Sequence, residues 1–147
     1  MSVSVESDLE SLLTRLQAGR GRIREGRRRG LVQVGQLVLR DVIGEHPVET
    51  GRSQAGWSAA LSALGLTTGD GAGDAGGEGE ASVIEEAEQT EVEAINFVEY
   101  EPFVEYGSRG RSGTGSVRRS LDENRSQGAE IVGKEIARAA FEGSVQL

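Results

Sequence analysis

From Gly69 to Glu80 the chain reads Gly-Asp-Gly-Ala-Gly-Asp-Ala-Gly-Gly-Glu-Gly-Glu, without one bulky apolar side chain. Glycine gives such a segment maximal backbone freedom and it has almost nothing to bury, so it enters a fold as a mobile loop or hairpin tip, here placed at 65–80. Any core must come from the residues on either side. Their supply is thin: 36% of the 147 residues are hydrophobic and 4% aromatic, beside 22 glycines. Less apolar surface is therefore available to offset ordering entropy than in an ordinary enzyme domain. One domain spanning 1–147, with a modest core, is the expectation. Segments such as 65–90 and 107–116 are candidates for ordering against neighbours.

On the N-terminal side, Leu9, Leu12, Leu13 and Leu16 stand at i, i+3, i+4 and i+7, which predicts a helix from about Ser7 with Asp8 and Glu10 at its positive end. Gly19, Gly21 and Gly26 interrupt the arginine-rich stretch that follows and predict a hinge or a break. Leu31, Val34, Val38 and Val42 resume the helical period, and Pro47 stops it. Residues 1–46 are thus one long kinked helix or a helix pair. Gly56 to Leu66, around Trp57, reads as a strand or a short helix running into one. Ala81 to Gln89 suits a helical turn. Thr90 to Val98 alternates, with Val92, Ala94 and Asn96 on one side and Glu91, Glu93, Ile95 and Phe97 on the other, which is a strand pattern. After a loop at 108–115, Val117, Leu121, Val132, Ile136 and Ala140 predict a closing helix over 116–141, with Gly128 and Gly133 as weak points. The expected class is α+β: a long N-terminal helix, a small mostly antiparallel sheet over 47–107 with an extended acidic Gly-rich loop, and a C-terminal helix.

Charge is segregated along this outline. Nine of the fifteen arginines lie in residues 1–52, whereas Ser53 to Ser108 holds no Lys or Arg but twelve acidic residues. In an isolated domain such asymmetry serves solubility; in a ring of copies it is multiplied into belts that meet complementary partners. Arg20, Arg22, Arg24, Arg27, Arg28 and Arg29 would point all around a helix rather than along one stripe. They divide between phosphate contacts and ion pairs with the acidic middle of a neighbouring copy, the second being favoured.

Most catalytic chemistry has no residues to run on. The chain has no cysteine and a single histidine, His46, which excludes disulfides, thiolate nucleophiles and paired-imidazole metal sites. The acidic Gly-rich loop has neither the Asp-x-Asp-x-Asp-Gly nor the Gly-Gly-x-Gly-x-Asp spacing of a calcium site. Gly19, Gly21 and Gly26 miss the dinucleotide fingerprint, because Arg24 stands where its third glycine belongs. Glu99, Glu101 and Glu105, with Tyr100 and Tyr106, are the one candidate acid–base group, though carboxylates so close together are more often a surface face. His46 suits a helix C-terminus, and Trp57 the core. No run approaches the roughly twenty apolar residues of a membrane span, and Met1 to Glu10 lacks the pattern of a signal peptide. The expectation is a soluble protein with no enzymatic activity, no cofactor and no bound metal.

Two islands are more specific than composition. Pro47-Val48-Glu49-Thr50-Gly51-Arg52-Ser53-Gln54-Ala55-Gly56-Trp57 resembles the Pro-Val-x-Thr-Gly-x-Leu-x-x-Ser-Trp stretch of neck, tail-completion and related tail-component proteins of long-tailed bacteriophages. Ile95-Asn96-Phe97-Val98-Glu99-Tyr100-Glu101-Pro102-Phe103-Val104-Glu105-Tyr106-Gly107 is similar to their Ile-x-Asn-x-x-x-Tyr-Ala-x-Tyr-Val-Glu-Tyr-Gly. The islands occur in the family's order. The chain departs from the pattern at Ser53, where the family usually has an apolar residue, at Glu101, where it has alanine, and after Gly107, where it often has proline.

The resemblance implies a structural virion protein of the neck or tail, assembled in the host bacterial cytoplasm. Its copies would close a ring of about six or twelve that docks a head connector, adaptor or portal ring on one side and a tail terminator or tail tube protein on the other. Genomic DNA would pass through the lumen, and no membrane is involved. The alternatives are a tail terminator ring capping the tail tube, a DNA-binding accessory protein that uses Arg20 to Arg29, and a hydrolase built on the glutamates. For the islands themselves, Pro47 and Gly51 predict a turn from the long helix into the sheet, with Thr50 satisfying freed backbone groups. Tyr100, Phe103 and Tyr106, at i, i+3 and i+6, would form an aromatic plug against the sheet, with Glu105 beside it on a backbone amide or Arg52. Asn96 and Gly107 complete the motif.

Overall fold

The computed structural model describes residues 5–47, 51–65 and 77–142, with side chains from Leu9 onward. The fold is α+β, in the order α1 (Val5–Glu45), α2 (Arg52–Ala63), β1 (Gly79–Glu85), β2 (Thr90–Asn96), α3 (Glu101–Tyr106), β3 (Gly107–Ser108), β4 (Arg111–Ser112), α4 (Ser116–Glu123) and α5 (Arg125–Glu142). The expected long N-terminal helix, antiparallel strands and C-terminal helix are all present.

The helix α1 is a spine about 60 Å long at 1.5 Å per residue, and it is continuous where its glycines predicted a hinge. Part of the reason lies in what packs on them. Helix α5 runs antiparallel along α1, so that Gly26 faces Glu135 and Ala139, Gly30 faces Val132, and Val34 faces Gly128. A Cβ on Gly26 would sit 2.6 Å from the Glu135 carbonyl oxygen, and one on Gly30 2.8 Å from the Val132 Cα. These glycines let two helix backbones approach, and the contact they make holds the helix through a stretch that propensity alone would weaken.

The C-terminal half of α1 carries the core. Val38, Leu39 and Val42 are buried with Trp57, Ala60 and Leu64 of α2 and its cap, and Ala81, Val83, Val92 and Ala94 close over them from the hairpin. The strands β1 and β2 pair antiparallel, with Ala81 opposite Ala94 and Val83 opposite Val92 on the inner face. The division of β2 into Val92, Ala94 and Asn96 within and Glu91, Glu93 and Ile95 without is the one its alternation predicted.

Several local expectations are corrected. Arg52–Ala63 is a helix, not a strand or a helix running into one: burying Ser53, Gly56, Trp57 and Ala60 gives it one buried face. The turn after α1 therefore leads into α2 and not into the sheet. Residues Gly79–Glu85, expected to be loop and then a helical turn, form a strand, because pairing with β2 and inward packing of Ala81 and Val83 override the helical preference of glutamate and alanine. Of the acidic loop expected at 65–80, residues 66–76 lie outside the described residues. The closing helix breaks in two at Asn124 rather than at Gly128 or Gly133. The Asn124 side chain donates to the Ser120 carbonyl at 2.8 Å and to Asp41 Oδ2 on α1 at 2.7 Å, which turns the chain and latches α4 to the spine. Ser120, fully buried, adds a bond to the Val38 carbonyl at 3.0 Å. The expected loop at 108–115 contains the short β3–β4 ladder.

The packing predicts opposite effects for glycines on one helix. G26A or G30A should lower stability by about 1–3 kcal/mol through overpacking against α5. G21A, with nothing within 4 Å of the added Cβ, should raise it by about 1 kcal/mol. Urea unfolding reads both as midpoint shifts at constant slope.

Candidate functional site

The two sequence islands, separated by the 37 residues 58–94, meet around one buried carboxylate. Gly51, at a φ of 70° that favours glycine, starts α2 and turns its first residues back toward the end of α1. That turn brings Ser53 to His46, with Ser53 Oγ 2.7 Å from His46 Nε2. From the second island, Glu101 opens α3 and points inward, where Oε1 accepts from Trp57 Nε1 at 2.9 Å and Oε2 from the Ser53 hydroxyl. His46 Nε2 lies 3.3 Å from the same Oε2. Asn96, at the end of β2, donates to the Ser53 carbonyl at 2.8 Å and accepts from the Val98 amide at 3.1 Å. The network thus ties the end of α1, the start of α2, the end of the hairpin and α3 into one knot.

Ser53 and Glu101, two of the positions at which the islands depart from the patterns they resemble, are bonded to each other. The buried hydroxyl of Ser53 and the buried carboxylate of Glu101 help satisfy each other, which offsets part of the cost of burying both.

The second carboxylate does different work. Glu105 accepts from the backbone amides of Val117 at 3.0 Å and Arg118 at 3.1 Å, with the Arg118 Nε at 3.4 Å. These are free amides of the first turn of α4, whose cap residue Gly115 has no side chain to serve them. Of the two partners expected for Glu105, the backbone amide is the one found. Arg52 pairs instead with Glu78, at 2.8 and 3.0 Å.

The aromatic plug is overturned. A short helix, α3, lies within the span expected to be sheet and gives the three aromatics helical spacing, but Phe103 and Tyr106 are 61% and 69% exposed, and the buried side chains are Glu101 and Glu105, at i and i+4. Burial follows the face that can satisfy helix amides, an indole N–H and a hydroxyl, and that face is the acidic one. Tyr106 lies under the Arg118 guanidinium, 5.1 Å from ring centre to carbon. Tyr100 is half-buried at the start of α3, Gly107 ends it at a φ of 94°, and Pro47 is exposed just beyond α1. Thr50 lies outside the described residues.

An open cleft of about 410 Å³ beside the network is lined by His46, Ser53, Tyr100, Phe103 and Arg111 among others. A serine, a histidine and a glutamate are present, yet their order is not that of a nucleophilic triad. The acid bonds the hydroxyl rather than orienting the base, and His46 Nδ1, where an orienting carboxylate would sit, has no partner among the described residues. Ser53 is itself buried. Glu99 is exposed, and Glu101 and Glu105 are committed to protein donors. This arrangement suits locking helix ends together rather than acyl transfer or acid–base work. Among the described residues no three carboxylates or imidazoles are grouped as metal ligands.

The arginine cluster is split by the fold. Arg27 donates to Thr90 Oγ1 at 2.8 Å and to the Glu88 carbonyl at 3.0 Å, gripping the hairpin turn. Arg28 approaches Glu85, and Arg29 pairs with Glu135 and Glu142. Arg20, Arg22 and Arg24 make no ion pair among the described residues. Arginine does meet the acidic middle, but for Arg27 and Arg28 within the same chain. The residues that sequence reasoning passed over were Ser116 and Ser120 on α4 and Asn124 at its C-terminal cap, all buried polar groups, because serine and asparagine on a predicted helix carry no signal of burial.

The two glutamates give opposite pH dependences. Burial raises Glu101 above the ordinary 4.5, opposed by the Trp57 N–H and His46 and aided by Glu105. A raised carboxyl contributes stability below its unfolded value that is lost as pH rises through the folded one. Burial also pushes Glu105 up, but the Val117 and Arg118 amides and the Arg118 side chain outweigh it and hold it below 4.5. Its contribution is present above 4.5 and is lost as pH falls below it. E105Q should therefore flatten the acid limb of stability against pH and cost about 1–2 kcal/mol near neutrality, as loss of a cap does. E101Q should flatten the limb above 4.5 and destabilise little near neutrality, since glutamine keeps the indole bond without a buried charge. Chemical unfolding across a pH series measures both. Comparisons of the chain with family models, curated proteins and solved structures gave no match, so the residues and their geometry alone carry a functional reading.

Proposed function

We propose that this chain is a structural virion protein of the bacteriophage head–tail interface, a neck or tail-completion subunit. Its copies close a ring that joins the head connector to the tail and lets DNA pass. The observation that carries the reading is the convergence of the two family-like islands on one buried network, with two of their departures, Ser53 and Glu101, bonded to each other. Islands that serve only local turns would have no reason to meet.

The shape of the chain supports the same reading. Every side chain from Leu9 to Ala18 is exposed, including Leu9, Leu12, Leu13 and Leu16 at 53%, 51%, 56% and 57%. Four leucines in a row on one helix face are what an assembly subunit presents and what a free monomer avoids. The site is built from groups that brace the fold, which is the business of a subunit whose surface is its function.

The DNA-binding reading retains Arg20, Arg22 and Arg24, while Arg27, Arg28 and Arg29 are engaged within the chain. Light scattering on the purified chain, alone and mixed with virion neck and tail fractions, separates the two. A ring-sized mass, alone or only with those fractions, is the expected result. A monomer indifferent to the fractions, binding duplex DNA with steep salt dependence, would overturn it.

A further inference from the structure

We propose that the N-terminal arm of α1 docks on the outer face of the β1–β2 hairpin of a second copy of this chain, and that this contact is the repeating joint of the ring. The proposal rests on the ring reading above and names the surfaces that close it.

The arm is the part of α1 that outruns its partner. Gly26 meets Ala139, and α5 is described as far as Glu142, so by the antiparallel register the turns of α1 before about Arg22 have no part of α5 beside them among the described residues. The stripe that faces α5 and the core through Gly30, Val34 and Val38 continues outward through Ile23 to the four exposed leucines. It is a core face that has run past the end of its own core.

The hairpin presents the complement. Its inner face is packed on α1 and α2, while its outer face, with Ile84 opposite Glu91, Ser82 opposite Glu93 and Glu80 opposite Ile95, is open. Ile84, Ile95 and Phe97 are exposed apolar groups on that face. Among the described residues Glu80, Glu91 and Glu93 make no ion pair, and neither do Arg15 and Arg20 on the arm. An apolar stripe flanked by unpaired arginines thus matches an apolar strip flanked by unpaired glutamates.

The two surfaces cannot meet within one chain. The hairpin turn is tied to Arg27 and Arg28, its outer face points away from α1, and α1 is one unbroken helix. Arm on hairpin is therefore a contact between copies. Because its halves are different surfaces it is heterologous, the kind that propagates into rings.

The absence of native cysteine allows a direct test on the full chain. Two single-cysteine variants, L13C and I95C, are mixed and treated with a flexible bismaleimide. The mixed adduct should exceed both self-adducts. E91K/E93K on the I95C chain should cut its yield roughly tenfold, and adding R15E/R20E to the L13C chain should restore it. These positions are exposed, and circular dichroism checks that each variant keeps its helices. Predominant L13C self-adducts would mean that arms pair with arms, and absence of any adduct, or indifference to charge reversal, equally overturns the proposal. A ring-sized mass that survives E91K/E93K without a mixed adduct removes this joint but leaves the head–tail reading standing. Mixed adducts from a chain that never joins neck or tail fractions do the reverse.

Discussion

Helix α1 has to hold the whole body on half its length, and the close backbone approach of α5 at Gly26 and Gly30 is what makes that possible. With so few aromatic and large aliphatic residues, the chain cannot fill a wide space between helices; it closes the space instead. The same economy shows at the other end of α1, where Val38, Leu39 and Val42 meet a single tryptophan and small alanines. Dispersion between close backbones replaces the side-chain volume the composition lacks.

What apolar mass does not supply, buried polar groups supply by geometry. Glu101 sits without a full counter-charge and is held by an indole N–H and a hydroxyl. Removing a carboxylate from water costs several kcal/mol, so such a network adds little net stability, but it tolerates few alternative arrangements. It fixes where α2 starts relative to the end of α1, and so where the hairpin lies. Glu105 sets α4 in the same way by serving its first amides.

Much of the framework was legible in the chain. The helical period of α1, the alternation of β2 and the helical run at the C-terminal end each appear where their patterns fall, because these patterns reflect which side chains share a face. The errors had a common cause. Glycines in α1 looked like breaks because propensity counts the entropy they lose but not the helix packed on them. Residues 79–80 looked like loop and 81–85 like a helical turn because the strand they pair with is a separate stretch of sequence, and Tyr100, Phe103 and Tyr106 looked buried because aromatics usually are. At the site, Ser53 and Glu101 were visible only as separate oddities.

The order of residues by itself determined the long first helix, the β2 strand, the helical C-terminal end, the acidic middle and the leucine stripe, since periodicity and charge are local properties. Which face of α3 turns inward, which arginines are used up within the chain, and that Ser53 and Glu101 are partners were decided by the folded arrangement. A buried polar group is satisfied by whatever donor the packing brings to it, and that donor is a long-range neighbour no local pattern encodes.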